Sequence, residues 1–122
     1  MRLSPDDFAE LVEEALADIP EPFRGYMGDI TVDIERMPDR RTASAAGVRN
    51  PRLLLGLYRG VPLTERSVEH ARLPDRITIF QRNLERMCRR REDIIREVRR
   101  TVFHEVGHHF GLDEDDLDEL GY

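Results

Sequence analysis

A second cysteine, lysine, long apolar runs and internal repeats are all missing from this sequence, and each gap excludes something. With Cys88 alone, no intramolecular disulfide framework can hold the fold, and a reducing compartment is the expectation. No stretch approaches about 18 consecutive apolar residues, which argues against a membrane-spanning helix. The opening MRLSPDDFAE lacks the apolar region of a secretory leader, so a cytoplasmic location with no membrane partner is expected. The lack of repeats and low-complexity linkers argues against a solenoid or a string of modules. Positive charge is short as well: 19 basic residues, all arginine, against 25 acidic ones leave a net charge of −6. That balance argues against nucleic acid as the main partner, although it permits a local basic patch.

What remains suffices for one core. At 122 residues, with 39% hydrophobic and 36% charged, the chain can bury roughly two thirds of its unfolded surface. A single domain over residues 1–122 is expected. Ser4, Pro5 and Asp7 form a helix start, and Phe8, Leu11, Val12, Ala15, Leu16 and Ile19 supply an amphipathic stripe that Pro20 and Pro22 terminate. Ile30, Val32 and Ile34 alternate with polar residues up to Glu35, a half-buried strand. Residues 37–51 read as a loop. The run 53–58, apolar on both faces, predicts a strand central in a sheet, closed by a turn at Gly60 and Pro62. A polar stretch at 63–75 precedes a third strand at 76–82.

From 92 to 110 the period becomes helical again through Ile94, Ile95, Val98, Val102, Val106 and Phe110, and a short acidic tail follows. This helix carries HEVGH, an HExxH motif made of His104, Glu105 and His108. At about 100° per residue the two histidines lie one turn and roughly 40° apart, so both imidazoles reach one metal ion, and they point away from the apolar stripe. The plain alternative is two solvated side chains on an outer helix face. Yet for this composition HExxH is expected by chance roughly 0.01 times, and its extension by Gly111 and Glu114 to HExxHxxGxxE about 0.0002 times.

Each added residue has a task. Gly111 can adopt the left-handed conformation that ends a helix, and the turn then returns Glu114 to the ion as a third ligand. Six acids crowd residues 113–119, so Asp113 or Asp115 would replace Glu114 if the turn differed. Two imidazole nitrogens and one carboxylate oxygen suit Zn2+, one per chain, at about 2.0–2.2 Å, with a fourth position open to water. Glu105, on the same turn as His104, is then placed to take that water's proton as general base and pass it to a leaving amine.

With these residues the chain resembles a zincin metallopeptidase, and the extended motif resembles that of the metzincins with Glu114 where they have a third histidine. It is similar over nearly its whole length to the short bacterial family of minimal zincin-like metallopeptidases, through LLGLYRGVPLTERS at 54–67, LPDRITIFQR at 73–82 and RRTVFHEVGHHFGLDEDDL at 99–117. The resemblance implies an α+β, reduced zincin-like fold, with a small mixed β-sheet packed on helices and the HExxH active-site helix near the C-terminus. It assigns His104, His108 and Glu114 to metal and Glu105 to general base. It does not extend to the Met-turn, because Met1, Met27, Met37 and Met87 all precede the motif. Eight residues follow Glu114, so the specificity wall that metzincins build there is expected to be missing.

The function these features favour is a zinc-dependent metallopeptidase acting on a peptide or protein substrate, which an edge strand would bind in extended form. Two other classes compete. One is a metal-dependent RNA hydrolase of similar small fold, as in the bacterial ribosomal-RNA maturation endoribonucleases, whose HxxxHxxxxxH ends in histidine where this chain has Glu114. The other is a non-catalytic, zinc-stabilised binding module. The arginines between 86 and 100 are expected to form a solvated helix face paired with the acidic tail. His109, near the apolar stripe, reads as a core histidine, His70 as a surface residue, and Cys88 as a small buried thiol.

Overall fold

The computed structural model describes residues 1–60 and 75–122. The sequence readings at Pro62, 63–74 and His70 lie outside the described residues. Helix α1, Pro5–Ala15, starts as its residues dictate: Ser4 Oγ accepts from the Asp7 N–H at 3.1 Å, and Phe8, Leu11, Val12 and Ala15 are buried. A short helix α2, Phe23–Tyr26, leads into strand β1, Thr31–Glu35. Residues 37–51, expected to be loop, contain helix α3, Arg40–Ala45, whose N-cap Asp39 accepts from the Thr42 N–H at 2.7 Å.

Strand β2, Gly56–Arg59, and strand β3, Arg76–Phe80, complete a three-stranded sheet in the order β1-β3-β2, parallel between β1 and β3 and antiparallel between β3 and β2. The expected central position of the 53–58 run is therefore corrected: β3 is the middle strand. Ile77, Thr78, Ile79 and Phe80 are all buried, as a strand covered on both faces requires, whereas three of the four β2 residues are only half-buried. The leucine run is apolar for another reason. Pro51–Leu53 form a 3-10 turn capped by Asn50, and Leu54 packs with Ala43 and Phe80 in a small second cluster. The third strand also ends earlier than expected, because Gln81 and Arg82 already belong to helix α4, Gln81–Met87.

Helix α5, Arg91–His109, crosses the main core with Ile94, Val98, Val102, Phe103 and Val106 fully buried against α1 and the sheet. The acidic tail forms helix α6, Glu114–Leu120. Cys88 is buried in the main core, and burial pushes its thiol up to about 11, an inert state.

A buried carboxylate ties the N-terminal segment to α4. Glu85 accepts from the Leu3 N–H at 2.8 Å, from Gln81 Nε2 at 3.0 Å and from Arg82 Nη1 at 2.5 Å. Burial pushes its pKa up, but the donors from Gln81, Leu3 and Arg82 outweigh that and hold it below the ordinary glutamate value. Its contribution to stability is thus complete above the unfolded-state pKa of about 4.3 and is lost as pH falls through the lower folded value. Glu85→Gln is expected to melt lower than wild type at pH 7. It should also show a shallower fall of Tm below about pH 4.5, measured by thermal unfolding across pH.

Candidate metal centre

The site is built where α5 ends and α6 folds back. Gly111 sits at φ +91°, the Leu112 N–H donates to the Gly107 carbonyl at 2.8 Å and the Gly111 N–H to the His108 carbonyl at 3.1 Å. This is a Schellman termination of α5, which needs a residue tolerant of the left-handed region. Asp113 then caps α6 by accepting from the Asp116 N–H at 2.8 Å, while Asp116 accepts from the Asp113 N–H at 3.0 Å. The two helices close on each other at Gly107, where a Cβ would come within 2.6 Å of Leu117 Cδ2. The glycine inside HEVGH is what lets the buried Leu117 seat against α5 and carry Glu114 to the histidines.

Glu114 Oε1 lies 3.0 Å from His104 Nε2 and 2.8 Å from His108 Nε2. Each of these residues offers one ligand atom, all within 4.8 Å of one another, the sole such His/Cys/Asp/Glu cluster among the described residues. All three side chains are open to solvent on the face of α5 turned from the core, as the helical wheel predicts. Asp113 is committed to its cap, and Asp115 makes no contact with the histidines.

The chemistry of the donors fits a divalent metal. His104 Nδ1 is 3.1 Å from the Tyr122 main-chain oxygen. A main-chain oxygen can only accept, so Nδ1 carries a proton, and in the neutral imidazole Nε2 turns its lone pair toward the carboxylate. Lone pairs opposed at 3.0 Å call for a cation between them, and an N2O donor set suits zinc. Without a metal ion a proton shared with the imidazoles fills that role: the hydrogen bond with His104 holds the Glu114 carboxyl below its ordinary value, against desolvation, and His108 adds to it.

Glu105 has a different setting. Its carboxyl is half-buried, and desolvation pushes its pKa up against the opposing charges of His108 and His104 and a hydrogen bond from the Tyr58 N–H. That donor sits on the outer side of β2. The Phe80 N–H bonds the Leu55 carbonyl at 3.0 Å, so by antiparallel alternation residues 57 and 59 face β3, and the main-chain groups of 56 and 58 face away from it. Beside them a groove of about 470 Å³ runs between β2 and α5, from His104 and Glu105 past Gly56 and Thr101 to the exposed Leu53 and Met87.

Two further expectations are corrected. His109 is not a core residue: 41% of its side chain is exposed, and its ring stacks on Tyr58 with centroids 3.9 Å apart. It is the last residue of α5, where the helix has left the core and meets the sheet margin. The arginine cluster does not pair with the acidic segment among the described residues. Arg96 pairs with Asp93 at 2.5 Å, Arg86 donates to the Asn83 side chain, and Arg99 Nη1 donates to the Ala15 and Asp18 carbonyls. These partners lie on or just after α1 and on α4 and α5, and Arg99 also reaches the Tyr122 hydroxyl at 3.3 Å, past the end of α6.

A helix carrying HExxH, a glycine turn returning a carboxylate, and a small mixed sheet above the cleft together define a reduced zincin-like fold. The family model described as zincin-like metallopeptidase matches residues 27–122, and the chain belongs to that family. Membership makes it a zinc-dependent peptidase in general terms. No curated protein matches the chain. The match begins after α1 and α2, although α1 packs directly on the motif helix. No described helix is long and apolar enough to cross a membrane.

Proposed function

We propose that this chain hydrolyses peptide bonds with a single zinc held by His104, His108 and Glu114, and with Glu105 as general base. The observation that carries the reading is the convergence of His104 Nε2, His108 Nε2 and Glu114 Oε1 beside the half-buried Glu105, at the mouth of the groove along β2. When bound, zinc lowers the pKa of a coordinated water and polarises a carbonyl oxygen.

The chain's own residues supply the rest. The Tyr58 N–H holds the Glu105 carboxylate in one orientation, and burial makes that carboxylate a stronger base than an exposed glutamate. Glu105 takes a proton from the attacking water and delivers it to the departing amine nitrogen. An extended substrate would lie along the groove between β2 and α5, whose walls accept its side chains. The substrate class is thus an extended peptide or an exposed protein terminus or loop, in the compartment we take to be the cytoplasm. RNA is not the favoured substrate, because Arg86, Arg96 and Arg99 are already engaged within the chain. The test is cleavage of a broad peptide library by zinc-loaded protein. Activity should disappear with a chelator and return with zinc, and cleavage of structured RNA but of no peptide would reject the assignment.

A further inference from the structure

Nothing in the HExxHxxGxxE pattern points to Tyr122, yet four kinds of contact, through its N–H, ring, hydroxyl and main-chain oxygen, fasten this residue to α6, α5 and α2. Gly121, at φ +90°, turns the chain back, and the Tyr122 N–H donates to the Leu117 carbonyl at 2.8 Å. The ring packs edge-on against Phe23 and Phe103, with centroids 5.4 and 5.0 Å away. Its hydroxyl accepts from Arg99 Nη2 at 3.3 Å. The fourth contact is the main-chain oxygen, which accepts from His104 Nδ1 at 3.1 Å. Phe103 and His104 are consecutive, about 100° apart around α5, so the ring grips the core face while the oxygen beside it holds the imidazole on the adjoining face.

We infer that Tyr122 is a positioning residue of the metal centre: its docked ring fixes the main-chain oxygen that keeps the proton of His104 on Nδ1 and turns the Nε2 lone pair toward His108 and Glu114. The inference rests on the reading of His104 as a ligand. A metal-binding imidazole whose other nitrogen donates to a fixed acceptor is oriented and made more basic, and losing such a partner typically weakens metal affinity by about 10- to 100-fold. Here the acceptor is main chain, so side-chain identity matters only through how well the ring holds it in place.

That makes the variants discriminating. Tyr122→Phe keeps the ring and loses only the Arg99 contact, whereas Tyr122→Gly releases the segment. Zinc dissociation constants from competition with a chromophoric chelator should agree within about threefold for wild type and Tyr122→Phe, and rise about 10- to 100-fold in Tyr122→Gly. In zinc-loaded protein the His104 Nδ1–H should give a downfield proton resonance in wild type and Tyr122→Phe that Tyr122→Gly loses, a signature a purely structural role would leave in place. Gly121→Val, which strains the turn at φ +90° but retains the ring, guards against misfolding of the glycine variant and should also weaken zinc binding. Unchanged affinity and an unchanged Nδ1–H signal in both Tyr122→Gly and Gly121→Val would overturn the positioning role alone. A wild-type protein that takes up no zinc would overturn the metal site itself, and this inference with it.

Discussion

His108→Ala is expected to lose zinc and peptide cleavage together, whereas Glu105→Gln keeps zinc and loses cleavage. The two residues lie less than one helical turn apart, so the contrast cannot come from location. His108 Nε2 lies 2.8 Å from Glu114 Oε1 and offers an electron pair to the ion; removing it leaves two donors where three converge. Glu105 faces the Tyr58 N–H and the groove, and it is not among the converging donors. Its proposed task is to hold and move a proton. Glutamine preserves shape and the hydrogen bond from β2 but cannot accept that proton, so turnover should fall by about 10²- to 10⁴-fold. Metal content by elemental analysis and cleavage of one identified peptide check both variants. Equal zinc loss in both would show that Glu105 is a ligand or a structural residue.

Glu114→Ala and Asp113→Ala should differ as sharply, although the residues are adjacent. Glu114 Oε1 contacts both imidazoles, so its loss should reduce zinc affinity by at least about 100-fold while costing little stability, the side chain being largely exposed. Asp113 instead caps α6 in reciprocal bonds with Asp116. Its replacement should cost about 1 kcal/mol of stability and weaken zinc only as far as the first turn of α6 frays. Isothermal titration with zinc and thermal unfolding of the two variants separate affinity from stability. A larger affinity loss in Asp113→Ala would mean that the turn after Gly111 presents a different carboxylate.

The motif helix and the direction of its histidines were legible because both follow from a 3.6-residue period: Val98, Val102 and Val106 define the buried face and His104 and His108 the opposite one. The α+β class and the existence of three strands were legible for the same reason, with period two in place of 3.6. Strand order was not, because the leucines at 53–55 look like a doubly covered strand but serve a 3-10 turn and a side cluster. Helix α4 escaped notice since it begins directly after Phe80 with no side-chain cap to announce it. Helix α6 carried a signal in the reciprocal Asp113 and Asp116 spacing. Gly107 and Tyr122 were invisible for a deeper reason. One acts by lacking a side chain where Leu117 must approach, and the other through a main-chain oxygen, so neither belongs to the set of residue types in which ligands are sought.

The most direct measurement is the zinc content of the wild-type chain, Glu105→Gln and His108→Ala, each saturated with zinc and then freed of unbound metal. One zinc per chain in wild type and in Glu105→Gln, and none in His108→Ala, is the result that the convergence of His104, His108 and Glu114 predicts. A wild-type chain that holds no zinc, or a His108→Ala variant that retains a full equivalent, would contradict it.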